Sequence, residues 1–301
     1  MTRKSILAYL AGISVLLAVT LAWYVAAYMN RTTSDSEAFS GQRALQDVET
    51  QVAFGPRTPG SEAHARTLAW MQSELQSAGW TTRLMEAQNL GHPIQNLVAY
   101  RDEVQPHIIL GAHYDSRLHA DEDPNPTRRS DPVPGANDGA SGVAVLLELA
   151  RSLPDETEPV WLVFFDAEDN GRIPGWDWIL GSQVFASQLD FSPEGVVVVD
   201  MVGDAEQEIY IEGNSDPALV SEIWNTAGEL GNDDRFLPET RHSMLDDHTP
   251  FLQKGIPAMV IIDFEYPYWH TTADTTDKVS AESLQAVGET LHAWLIKRGQ
   301  D

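Results

Sequence analysis

The sequence predicts an α/β domain built on a mixed, mostly parallel sheet. Three observations carry that expectation. Near-continuous apolar runs occur at VWLVFFD (160–166), GVVVVDM (195–201) and IPAMVIIDF (256–264). Segments with apolar residues at helical spacing lie between them. Acid- and imidazole-rich stretches follow the runs. A run apolar at every position suits a central strand buried on both faces, whereas a strand with one wet face would alternate.

The elements follow in chain order. Residues 41–54 read as a short helix, and FGPRTPGSE (54–62) as a Pro/Gly-rich turn. Residues 61–78 place Ala65, Leu68, Ala69, Met71 and Leu75 at helical spacing. Strands are expected at 97–100 and 108–112. GASGVAVLLELARSL (139–153) forms an apolar helix that opens after a Gly/Asp/Ser cluster. Beyond the strands at 160–166 and 195–201, residues 207–212 add a strand and 216–230 a helix. The strand at 256–264 and a closing helix at 280–297 complete one domain, from residue 41 to 301, with no internal repeat.

Composition narrows the function. The chain has 301 residues, 19 Lys+Arg against 45 Asp+Glu, and a formal net charge of −26. Such a charge repels phosphate backbones and argues against nucleic acid as a partner. The 43% hydrophobic fraction is that of an ordinary globular protein. With no cysteine, disulfides, thiolate zinc sites and Cys nucleophiles are excluded, so any metal must be held by His and carboxylates. Neither a G-x-S-x-G nor a phosphate-loop pattern occurs.

The N-terminus reads separately. Arg3 and Lys4 precede an uncharged run over 6–29 with Trp23, Tyr24 and Tyr28 at its far end. As a helix it would span roughly 36 Å, enough for a hydrocarbon core of about 30 Å. We expect a cytoplasmic stub at 1–5, a transmembrane anchor or uncleaved signal at 6–29, a linker at 30–40, and the domain on the periplasmic or extracellular side. Cleavage of the segment would instead release a secreted protein.

Polar residues gather where strands end. His113, Tyr114 and Asp115 follow the strand at 108–112, and Asn137 and Asp138 precede a helix. Asp166, Glu168 and Asp169 follow the next strand, and Asp200 closes another. Asp246, Asp247 and His248 occupy a loop before a helical turn, and His270 follows the last strand. Each residue alone is most often a cap or a turn. Six segments delivering acids and imidazoles to one sheet edge point instead to a ligand site at the carboxyl ends of the strands. Imidazole and carboxylate without thiolate suit a catalytic zinc with an open position. A carboxylate beside a ligand carboxylate, as Glu168 is beside Asp169, can stay free to move protons.

GAHYDS (111–116), GANDGASGVAVLLELAR (135–151), FFDAED (164–169), DMVG (200–203) and WHTTAD (269–274) resemble the zinc aminopeptidase and glutaminyl cyclase superfamily, in order over about 52–298. The resemblance implies a three-layer α/β/α sandwich. It implies Asp138, Asp169 and His270 as zinc ligands. His113 and Asp200 would join Asp138 at a second metal position, so one zinc is expected and a second stays open. Glu168 matches the general base, and Asp115 the acid that orients the imidazole. Asp169 departs from the pattern, since Glu is usual there.

Three segments lean toward the cyclases: LDDHTPFLQKGIP (245–257), FEYPYWHT (264–271) and IPGWDWILGS (173–182). The resemblance then implies a zinc-dependent glutaminyl-peptide cyclotransferase, which converts the N-terminal Gln of peptides to pyroglutamate and releases ammonia. Asp200 and Asp246 would share a proton network with Glu168. Trp269, Trp176, Trp178 and His248 would surround the substrate, the N-terminus of a peptide or protein. Met259 stands where cyclases carry an auxiliary His. A co-catalytic two-zinc aminopeptidase is the alternative, because all five ligand positions carry suitable residues. A non-catalytic binding protein on the same fold is the third reading. The Asp-, Pro- and Arg-rich insertion at 117–134 reads as a surface loop near the site rim.

Overall fold

A computed structural model describes residues 38–300. The apolar segment at 6–29 and most of the linker lie outside them. Among the described residues no helix is long and apolar enough to cross a membrane.

Helices α1 (Gly41–Ala53) and α2 (Glu62–Ser77) start at serine caps, Ser40 and Ser61, whose hydroxyls accept the N–H groups of Arg43 and His64. They precede a hairpin of β1 (Thr81–Asn89) and β2 (His92–Tyr100), turned through Leu90 and Gly91. Both turn residues have positive φ, 49° and 86°, as a tight two-residue hairpin loop requires. Next come β3 (Ile108–His113), α3 (Ala140–Ser152), β4 (Val160–Phe165), α4 (Leu180–Gln188) and β5 (Gly195–Asp200). Strand β6 (Ile209–Ile211), α5 (Pro217–Leu230), β7 (Phe236–Thr240), α6 (Thr249–Gln253), β8 (Ala258–Ile262) and α7 (Ala281–Arg298) complete the order.

The main sheet runs β1-β2-β4-β3-β5-β8. Strands β3, β4, β5 and β8 are parallel, and the β1–β2 hairpin joins β4 antiparallel. The sheet is thus mixed and mostly parallel, as the apolar runs predict. Strands β6 and β7 pair separately, in parallel. Alternation divides the buried residues between two faces. Leu110, Val197, Val199 and Met259 join a core with α1, α2, α3, α5 and α7. Ile109, Val196, Val198 and Val260 join another with Phe185 of α4 and Phe251 of α6. Helices therefore cover both faces.

Burial on both faces leaves the carboxyl ends of the four parallel strands as the place where polar residues can collect. His113 ends β3 and Asp200 ends β5. Asp166 to Asp169 leave β4, and the loop after β8 leads to His270.

Candidate metal centre

Two three-residue clusters form at this edge, Asp138–Asp169–His270 and His113–Asp138–Asp200. All five residues are buried, none more than 7% exposed. His270 Nε2 lies 2.9 Å from Asp169 Oδ1 and 3.9 Å from Asp138 Oδ2. His113 Nε2 lies 3.2 Å from both Asp138 Oδ1 and Asp200 Oδ1. Asp138 is common to both clusters, so one oxygen of its carboxylate faces each imidazole.

The backbone is shaped for this convergence. Ala167, Met201 and His270 all have positive φ, at 53°, 45° and 55°. Such non-glycine conformations cost about 1–3 kcal/mol each and concentrate at functional sites. Gly139 follows Asp138 at φ 66°, and a Cβ there would lie 2.7 Å from His113 Cε1. A side chain would collide with the imidazole at this point.

Buried polar groups hold the loops. Asp274 Oδ1 accepts the N–H of Asn137 at 2.8 Å, and its Oδ2 accepts that of Asp138 at 3.2 Å. The Tyr266 hydroxyl donates to Asp274 Oδ1 at 2.7 Å. Arg57 is fully buried and donates to the carbonyls of Tyr114, Pro134 and Gly135 at 2.6–3.1 Å, and to that of Asp138 at 3.4 Å. Asp115 accepts the N–H of Glu168 at 3.0 Å and of Asp169 at 3.3 Å, and faces His113 Nδ1 at 3.4 Å.

The electrostatics ask for a cation. Burial pushes the carboxyls of Glu168 and Asp200 above the ordinary range, and neighbouring acids add to it, Asp169, Asp247 and Asp246 for Glu168. Asp246 is raised to about 7, first by burial and then by Asp200. Burial favours a neutral His113, but Asp200, Asp115 and Asp138 outweigh it and hold the imidazole well above its usual range. Asp169 Oδ2 is buried with no hydrogen-bond partner. An orphaned carboxylate oxygen inside a His/Asp cluster fits an oxygen- and nitrogen-ligated divalent ion such as zinc.

A cleft of about 310 Å³ opens onto the centre. Asp138, Glu168, Asp169, Asp200, Asp246 and His270 line it, with Trp178 and Trp269 among the aromatic residues of its wall. Trp269 stacks on His270 with ring centroids 3.6 Å apart, and Trp178 at 5.9 Å. Two residues expected at the substrate lie elsewhere. Trp176 stacks on His92 at 3.5 Å and packs against Ile94, Ala167 and Leu180. His248 is fully buried, with Nε2 3.3 Å from Glu212 Oε2. Met259 is fully buried in the core, so no imidazole occupies that place in β8.

Sequence reasoning missed Arg57, Arg117, Asp121 and the individual role of Asp274. Asp274 ends the WHTTAD motif, which was a usable signal. Arg57 and Arg117 sit in Pro-rich or charged stretches whose burial the sequence does not announce, and Asp121 is a half-exposed partner of Arg117.

The profile of peptidase family M28 matches residues 96–295. The crystal structure of Porphyromonas gingivalis glutaminyl cyclase superposes with a TM-score of 0.82 at 34% identity, covering 87% of this chain and 99% of that one. A leucine aminopeptidase precursor from Bacteroides thetaiotaomicron gives 0.81 at 29% identity, covering 87% and 98%. The glutaminyl-peptide cyclotransferase-like protein of Bos taurus is 24% identical over 80% of this chain and 72% of its own length.

Proposed function

The chain belongs to peptidase family M28, and on that premise we propose that it is a zinc-dependent glutaminyl-peptide cyclotransferase. It converts the N-terminal Gln of peptides to pyroglutamate and releases ammonia. The observation that carries this reading is the 34% identity with the P. gingivalis cyclase over 99% of that chain. The cleft supports it, with an acid-lined floor for an amine and an indole wall for a short side chain.

Asp138, Asp169 and His270 would hold the zinc. When bound, zinc supplies Lewis-acid polarisation of the γ-carboxamide oxygen. The protein supplies orientation and proton transfer. Trp178 and Trp269 confine the glutaminyl side chain so that its carboxamide carbonyl carbon meets its own α-amine, which makes ring closure a matter of positioning. The amine nitrogen bonds to the carbonyl carbon of the γ-carboxamide, and Glu168 takes one of its protons. The bond from that carbon to the amide nitrogen then breaks. Glu168 returns the proton to the departing nitrogen, which leaves as ammonia. A base that must also act as an acid needs a pKa near the working pH. Burial and the acids beside Glu168 push it in that direction, and Asp200 and Asp246 are the partners for its proton.

A two-zinc aminopeptidase is the second reading. It is favoured by the His113–Asp138–Asp200 cluster sharing Asp138 with the first, and by the similarity to the leucine aminopeptidase precursor. Zinc titration of the metal-free protein separates the two. The cyclase reading expects ammonia release to reach its plateau at one equivalent. Peptide-bond cleavage that appears only with the second equivalent would favour the aminopeptidase.

Arg3 and Lys4 before the run at 6–29 support a membrane-anchored enzyme with its domain outside the cytoplasm. Protease added to spheroplasts should then remove the domain, and full protection would overturn this placement.

A further inference from the structure

The insertion at 117–134 reaches into the metal centre, and we infer that its Arg117–Asp121 pair is a positioning device for His270. The inference rests on the zinc reading above and goes beyond it by assigning two residues outside the ligand set.

His270 turns Nε2 toward Asp169 and Asp138, which leaves Nδ1 on the outer side. There it lies 3.5 Å from Asp121 Oδ1. Asp121 is not free to wander, because the two arms of the Arg117 guanidinium grip its two oxygens, each at 2.7 Å. Arg117 is 1% exposed. It also donates to the carbonyls of Asp169 and Gly171, each at 3.0 Å, and lies 3.4 Å from Asp169 Oδ1. One buried fork therefore touches a ligand carboxylate directly and the ligand imidazole through Asp121.

The same loop holds the backbone that carries His270. The Glu122 N–H donates to the His270 carbonyl at 3.3 Å. Asp123 Oδ2 accepts the Thr272 N–H at 3.0 Å and the Thr272 hydroxyl. His270 sits at φ 55°, a conformation that surrounding contacts must impose. The arrangement at the other imidazole is parallel, with Asp115 3.4 Å from His113 Nδ1. A carboxylate behind Nδ1 keeps the proton there, leaves the Nε2 lone pair for the metal and raises its basicity.

The test uses the purified full-length chain and two readouts apart from activity. One is zinc affinity by competition with a chromophoric chelator. The other is the visible spectrum of the cobalt-substituted protein. Asp121→Asn should weaken zinc binding about 10- to 100-fold and shift the cobalt bands, with little change in thermal midpoint, since the Asp121 side chain is 41% exposed. Glu122→Gln removes the same charge one residue along, from an exposed side chain, and should change neither readout. Unchanged zinc affinity and cobalt bands in Asp121→Asn would overturn the assignment. Equal weakening in both variants would overturn it too, because only loop charge would then matter. A wild-type chain that binds no zinc would bring down the zinc reading itself, which is a different failure from that of Asp121.

Discussion

Asp115 Oδ1 accepts the backbone N–H of Glu168 at 3.0 Å, so the carboxylate behind His113 also fixes the residue placed to move protons. Removing it should harm both. We predict that Asp115→Ala lowers kcat about 10- to 100-fold. It should also destabilise the fold by about 1–3 kcal/mol, since the Glu168 and Asp169 N–H groups lose their acceptor. Asp115→Asn keeps one acceptor oxygen and should regain stability before activity. Steady-state kinetics with thermal unfolding check this.

Glu168 carries the proton in the proposed reaction without holding the metal. Glu168→Gln should lower kcat about 10²- to 10⁴-fold, with zinc content and melting temperature close to wild type. Loss of zinc along with activity would show instead that Glu168 is a ligand.

The parallel strands and the site they carry were legible for one reason. Strands β3, β4, β5 and β8 are buried on both faces, so they read as apolar runs; His113 and Asp200 end β3 and β5 at the site, and Asp169 and His270 follow β4 and β8 a few residues on. Strand β1 was illegible because it is a half-exposed edge strand with a single neighbour and a polar sequence. Phe236 is the one buried residue of β7, which leaves no run to read. At the site, Trp176 and Trp178 are two residues apart in a loop, where no regular period fixes direction, and only Trp178 reaches the cleft. The DDH run at 246–248 looked uniform, yet Asp246 lines the cleft and His248 turns inward to Glu212. The insertion at 117–134 looked solvated because its anchor, Asp123 to Thr272, spans 149 residues of sequence.

Arg57 offers a stability prediction at a residue outside the ligand set. Its guanidinium meets backbone carbonyls, and burial lowers its pKa to about 10. Arg57→Met would remove a donor from the carbonyls of Tyr114, Pro134, Gly135 and Asp138. We expect a loss of about 2–4 kcal/mol, seen as a fall of several degrees in thermal midpoint, together with weakened zinc binding through Asp138. A change under about 0.5 kcal/mol, the usual range for a surface position, would contradict this role.

Glu212 gives the pH dependence. Burial pushes its carboxyl up, but the His248 imidazole and the N–H groups of Asn214 and Met244 outweigh it and bring it down to about 2. Its folded pKa is below its ordinary 4.5, so the stability it contributes is present above 4.5 and is lost as pH falls toward 2. This carboxylate ties the 212–215 turn to the loop carrying Asp246. Wild type should therefore lose stability faster than Glu212→Gln between pH 4.5 and 2. Parallel curves from denaturant titrations across that window would contradict the assignment.

The most direct measurement incubates the zinc-loaded full-length chain with a Gln-initiated and a Leu-initiated peptide, read by mass spectrometry. The account predicts loss of one ammonia from the Gln peptide while the Leu peptide stays intact. Release of free leucine, with the Gln peptide uncyclised, would contradict it and leave the two-zinc aminopeptidase.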